Sequence, residues 1–366
     1  MTSRSEGVQQ RLPAPGQMFF FIMYGFMLVL ILKNPEPAIE YIKGGLVLCV
    51  RTVIPSLFPF MVISELVVAS GLGELAGKYL SRPLRRLFGI SGASACAVIL
   101  GAICGFPVGA KTTATLLDRG CITKKEALRL LTFCNNPSPA FIINAVGVSL
   151  FSNRKVGIVL YAITLFNAFL IGFSQRFFSI SQDENNSHDI KKYPGGISAF
   201  TLSVTHAAES MLIICAYIVF FSSLVGCLAD IISGLNFPAV AVALLYGILE
   251  LSGGVSTASA LGPDIAGICL CAFIIGWSGL SVHFQVISAC SGRGLSYKGY
   301  FAAKLISGLL NSILTYVVLK LFPGIMLPPD VSTAQPAAAV RLTSTYIIAV
   351  LLVFAAGIAV SRRKAG

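Results

Sequence analysis

Charge is what this sequence most lacks. Of its 366 residues only 11% are Asp, Glu, Lys or Arg, while 55% are hydrophobic and the mean hydropathy is +0.83. A soluble domain carries about 25% charged residues, so a soluble fold of this length could not cover its surface. What remains is an all-α polytopic membrane protein. Acidic residues are scarcer than basic ones, 15 against 27, which leaves a net charge of +12. The basic residues fall in short clusters between apolar runs, such as Arg82, Arg85 and Arg86, or Arg362, Arg363 and Lys364. That placement suits lipid headgroups and the positive-inside bias. No basic stripe interleaved with aromatics suggests a nucleic-acid surface. None of the ten cysteines forms a CxxC pair, so neither a disulfide framework nor a metal set has a spacing to rest on. HExxH, GxSxG, Walker and Rossmann patterns are missing, and no enzyme activity or cofactor is expected.

The apolar runs are present in number. The region 1–40 reads as a polar tail followed by a first transmembrane helix, Met18 to Leu32, retained because no cleavage pattern follows it. Tyr41 to Ser70 is long enough to cross, with a kink expected at Pro55 and Pro59. Gly73 to Phe88 is basic and amphipathic and reads as lying in the interface. Over 91–120 the tip Gly105-Phe106-Pro107-Val108-Gly109 divides two limbs too short to cross, which points to a re-entrant hairpin, with a kinked single span as the alternative. Thr123-Lys124-Lys125-Glu126 has capping-box form. The helix it opens, 123–150, is broken at Cys134-Asn135-Asn136-Pro137-Ser138-Pro139. Unwound backbone at membrane depth survives only inside protein or along a cavity.

A polar linker, 178–199, divides the chain. The halves then read as repeat 1, 41–177, and repeat 2, 200–360, with a basic tail at 361–366. In the second half Phe237 to Leu251 takes the interfacial place, 263–292 is a second hairpin with its tip at Gly276 and Gly279, and 296–322 is a second broken helix. An odd number of crossings between the hairpins gives an inverted repeat, a transporter architecture.

The stretches CGFPVGAK, FCNNPSPAFIINAVG and GWSGLSVHFQV, with IPSLFPFMVISEL, resemble the YlbJ family of sporulation integral membrane proteins, and through it membrane proteins with a nucleoside-recognition (Gate) domain. The resemblance covers roughly residues 40 to 325. One departure is Asn136-Pro137-Ser138-Pro139, where a small residue, often Gly, is expected near the second proline. The resemblance implies a role in spore formation and distant kinship with concentrative nucleoside transporters, which use two hairpins and two broken helices.

Polar side chains at these interruptions are the candidate site. Lys111, Asn135, Asn136, Ser138, Ser278, Ser281, His283, Gln285 and Asn311 are expected to bind solute. Glu65, Glu209 and Glu250 are candidates for coupling or for pairing with Lys111, and Gly105, Pro107, Gly109, Gly276 and Gly279 shape the hairpin tips. Bland readings compete: self-capping for the asparagines, a satisfied buried imidazole for His283. The expected partners are the lipid bilayer of the cell membrane, a small polar solute and a second copy of the chain, without nucleic acid or metal. Two functions remain open, a transporter or gated pore, and a membrane scaffold for spore-envelope assembly.

Overall fold

A computed structural model of the chain describes residues 35–69, 72–177 and 197–326, with scattered positions from 25 to 33, and every regular element among them is helical. Most of the expected first crossing, most of the 178–199 linker, the final crossing and the basic tail lie outside the described residues.

Proline sets the first interruption. Helix Pro35–Leu48 passes through a π-helical turn, Cys49–Val53, into helix Ile54–Ala69. Pro55 has no N–H to give to the carbonyl of Arg51, and its ring crowds that carbonyl. The helix widens instead, with the N–H of Ile54 reaching Cys49 O. Pro59 sits inside the second helix. The interruption expected at the prolines thus takes the form of a π-helical turn just ahead of Pro55.

Helix Leu72–Phe88 buries Leu84 and Phe88 and exposes Arg82, Arg85 and Arg86. At its end the chain bends by 94° between Tyr79–Phe88 and Gly92–Ile103. Glu126 fixes that corner. Thr123 accepts from the N–H of Glu126 at 3.2 Å, as half of a capping box. The Glu126 carboxylate does not return the bond; it accepts from Ser91 N at 2.6 Å and Ser94 Oγ at 2.5 Å, which ties the turn to the next helix. Glu126→Ala is expected to cost about 1.5–3 kcal/mol, the worth of hydrogen bonds to a charged group, read as a lower unfolding temperature in detergent.

Helices Ala95–Ile103 and Val108–Asp118 form a hairpin. In a straight helix, residues eight apart lie about 12 Å from each other. Here a Cβ on Gly101 would stand 3.2 Å from the Gly109 Cα, so the chain has reversed. Lys124–Phe133 follows, then the non-helical Cys134–Pro139, then a π-helical segment, Ala140–Leu150.

The second half differs from expectation. The chain reverses at Glu250, between helices Ala239–Leu249 and Leu251–Ser259: a Cβ on Gly254 would overlap the Gly247 backbone, seven residues earlier. Phe237 to Leu251 thus holds the first limb of a hairpin and its turn, rather than a single helix of the Leu72–Phe88 kind. The expected hairpin over 263–292 is instead one apolar run, Ile265–Cys290, broken only at Ser278. Gly276 and Gly279 flank a helix break, not a hairpin tip. The expected break within 296–322 is absent, since Lys298–Leu321 is one unbroken helix. It carries no proline, and Asn311 spends its side chain on Asn167 and Thr164 of one neighbouring helix, Arg154–Gln175, rather than on its own backbone.

Among the described residues four helices are long and apolar enough to cross a membrane: Arg154–Gln175, Ile197–Ser233, Ile265–Cys290 and Lys298–Leu321. The first and last of these are joined by buried amides. Asn167 Nδ2 donates to Asn311 Oδ1 at 3.0 Å and to Ser307 O at 2.9 Å, and Asn311 Nδ2 donates to Thr164 Oγ1 at 3.3 Å.

Candidate functional site: two hairpin tips and two helix breaks

Each hairpin tip meets a helix break. At the first, Gly105 has φ +83°, which an L side chain rarely adopts, and a Cβ there would lie 2.6 Å from Ser138 N. On either side of the tip, a Cβ on Gly101 or on Gly109 would overlap the carbonyl oxygen of Cys134. The unwound Cys134–Pro139 is therefore held between the limbs of the first hairpin. At the second, a Cβ on Gly279 would stand 2.9 Å from Leu251 N, and Trp277 Nε1 donates to Ile248 O at 3.2 Å. Ser278 is left-handed, with φ +77°, and interrupts the helix against the Glu250 turn. The Glu250 carboxylate accepts from Ser252 N at 3.0 Å and Gly253 N at 2.6 Å, capping the helix it precedes.

Between these units lie two cavities. One, of about 110 Å³, is lined by Phe106 and Ser138 from the first unit and by Glu250, Ser252, Ser281 and Gln285 from the second. The other, of about 440 Å³, is lined by Glu65, Lys111, His206, Ser210, Gln285 and Arg293 among others. Ile214 and Gln285 belong to both linings and form the wall between them. The larger cavity holds a partly buried ion pair: Lys111 Nζ lies 3.0 Å from Glu65 Oε1. Lys111 also donates to His206 O at 2.7 Å and to Ser210 Oγ. An ammonium taken out of water is costly, and three groups, the Glu65 carboxylate, the His206 carbonyl and the Ser210 hydroxyl, share its charge. At the same cavity Arg293 forms a bidentate pair with Asp118 at 2.6 and 2.8 Å, and this hydrogen-bonded carboxylate raises the guanidinium pKa.

The site candidates separate into three sets. Ser138, Ser281, Gln285 and Glu250 come together at the smaller cavity, and Lys111 and Glu65 at the larger. Asn135, Asn136, Ser278, His283 and Asn311 line neither. Asn135 Nδ2 donates to Leu131 O at 3.4 Å and Asn136 Nδ2 to Phe133 O at 2.8 Å, so both side chains cap the helix before the break. His283 Nδ1 pairs with the Tyr300 hydroxyl at 2.9 Å inside a cage of Trp277, Tyr300 and Phe301. Glu209 is exposed and does not reach Lys111; Glu65, on the helix packed against the first hairpin, takes that place.

Residues 50–154 match a family model described as nucleoside recognition (Gate). Over 330 residues the chain is 26% identical to the sporulation integral membrane protein YlbJ of Bacillus subtilis (strain 168), with 81% of each chain covered. The chain is a multi-pass membrane relative of that protein. No solved structure matches it. The Gate match takes in Glu65, Lys111, the first hairpin and the first break, and stops at the first turn of Arg154–Gln175. The second hairpin, Gln285 and the other cavity-lining residues of the second half lie beyond it.

One buried residue outside the candidates named from the sequence joins the two breaks. Lys304, 2% exposed, donates from Nζ to the main-chain oxygen of Asn135, and its Nζ lies 3.5 Å from Ser278 Oγ. The available signal was its setting: a lysine about two turns into an apolar 24-residue helix, with apolar residues on either side of it.

Proposed function

We propose that this membrane protein passes a small polar solute through the space between the two hairpin tips, in the sporulation setting that its relative's name records. The observation that carries the reading is the smaller cavity, where both units contribute polar groups to one space. Small-molecule sites have this composition: apolar walls with a few converging polar groups.

An internal repeat supports it. With the second hairpin at Glu250, the halves share one order: crossing, hairpin, broken crossing, crossing. Helices Arg154–Gln175 and Lys298–Leu321 begin 144 residues apart, and Asn167 and Asn311, hydrogen-bonded to each other, are also 144 apart. Equivalent positions that touch each other are what a pseudo-two-fold axis produces. Three crossings separate the hairpins, so in this reading the second enters from the opposite face, as in transporters with inverted repeats and broken helices. Helix Leu72–Phe88 then lies along the interface, with its arginines toward headgroups.

In this account Gln285 and Ile214 are the partition between the solute site and the larger vestibule. Gln285 Nε2 lies 3.5 Å from Ser281 Oγ, a weak contact that leaves the amide able to turn to a solute. The test is uptake by proteoliposomes of a panel of nucleosides, amino acids and ions. Wild-type protein is expected to carry at least one, and Gln285→Ala to lower that flux about tenfold, the worth of one lost hydrogen bond of ~1.4 kcal/mol. A chain that carries none of the panel, and whose spores lose resistance only when surface residues are changed, is a scaffold instead.

A further inference from the structure

We infer that the Lys304 ammonium occupies the place of an inorganic cation, so that the two helix breaks are held together without a bound sodium or potassium ion. A helix that unwinds inside a membrane frees main-chain carbonyls, and in broken-helix transporters such carbonyls and nearby hydroxyls coordinate a cation. Both kinds of oxygen are found here. The Asn135 carbonyl belongs to the first break and the Ser278 hydroxyl to the second, and Lys304 Nζ reaches both.

Three features favour a permanent tenant over an incidental contact. Lys304 is 2% exposed and is among the largest fully buried side chains. Among the described residues no carboxylate lies within ion-pair distance of it, so these oxygens, and not a counter-ion, solvate the charge. Its other polar neighbours include no carboxylate: they are the Cys134 thiol beside the first break, and the His283–Tyr300 pair, whose tyrosine lies one turn earlier on the same helix. The side chain enters from Lys298–Leu321, which belongs to neither broken segment, and it lines neither cavity. A cation delivered on a side chain cannot leave with the solute. The junction is thus permanently assembled, whereas a bound ion would make it depend on ionic composition.

The inference does not rest on transport, because stability of the purified full chain reads it. Wild-type protein is expected to unfold at the same temperature in choline, sodium or potassium chloride at equal ionic strength. Lys304→Ala empties the junction: it is expected to lose stability in choline and to regain at least about half of the loss in sodium or potassium, because an ion bound only to the native state raises stability by mass action. Lys304→Met fills the same space without charge and is expected to lose stability in all three salts. Stabilisation of the wild type by sodium or potassium over choline overturns the inference, and needs no variant that might fail to fold. So does Lys304→Met as stable as wild type, or Lys304→Ala equally unstable in every salt.

Discussion

Lys111→Ala is expected to bring solute flux to background and to cost stability, up to about 3–5 kcal/mol, the range for removing one partner of a fully buried ion pair. Glu65 is 9% exposed, and the pair closes at 3.0 Å with the carbonyl of His206 and the hydroxyl of Ser210 on the same ammonium. The alanine variant leaves a carboxylate in a largely apolar wall with its positive partner gone. Removing both charges removes that penalty, so Glu65→Gln with Lys111→Met is expected to recover most of the stability. It should not recover flux, because the vestibule has lost the charge that draws polar solute toward Gln285. Thermal unfolding in detergent and flux in proteoliposomes separate the two effects. Equal stability of the single and double variants would show that water, not Lys111, supports Glu65.

Gly109→Val is the second large effect. A Cβ at Gly109 overlaps the Cys134 carbonyl and lies 3.1 Å from the Gly101 Cα, so both obstacles are backbone. Overpacking against movable side chains costs about 1–3 kcal/mol; here the hairpin must open or the break must shift. The expected result is little or no monodisperse protein on size-exclusion chromatography. Gly299→Ala is the control. Nothing lies within 4 Å of a Cβ there, and alanine favours a helix over glycine by about 1 kcal/mol, so that variant should be at least as stable as wild type.

These two sites also show what could be read from the sequence and what could not. The first half announces itself through residues with fixed backbone consequences: Pro107 with two glycines at the turn, and Pro137 and Pro139 at the break. In the second half the same signals point to the wrong place. Gly276-Trp277-Ser278-Gly279 looks like a tip, yet Ser278 N still reaches Ile274 O at 2.7 Å, and only Ser278 and Gly279, at φ +77° and +75°, leave the right-handed backbone. The true reversal, at Glu250, has no proline. A carboxylate followed by Ser252 and Gly253 caps the new helix, and Gly247 and Gly254 let the limbs touch. An acidic residue ahead of a small-residue run is the sign to look for, and apolar flanks hid it. Asn135, Asn136 and His283 are plausible ligands by type; each bonds locally, to helix carbonyls or to Tyr300, while Asn135 Oδ1 and His283 Nε2 are buried without a hydrogen-bond partner. Lys304 was hidden because a lysine in a long helix ordinarily faces water or snorkels, and only the packed structure shows which face it is on.

Access to the smaller cavity tests the central claim most directly. Ser252→Cys, placed in a chain with its ten native cysteines replaced, puts a thiol in that cavity's wall. A solute path that opens in turn to each face predicts labelling by a membrane-impermeant thiol reagent in both right-side-out and inside-out vesicles, with Lys111→Ala suppressing the reaction from the vestibule side. Labelling from one face only, or from neither, would contradict a path between the hairpin tips.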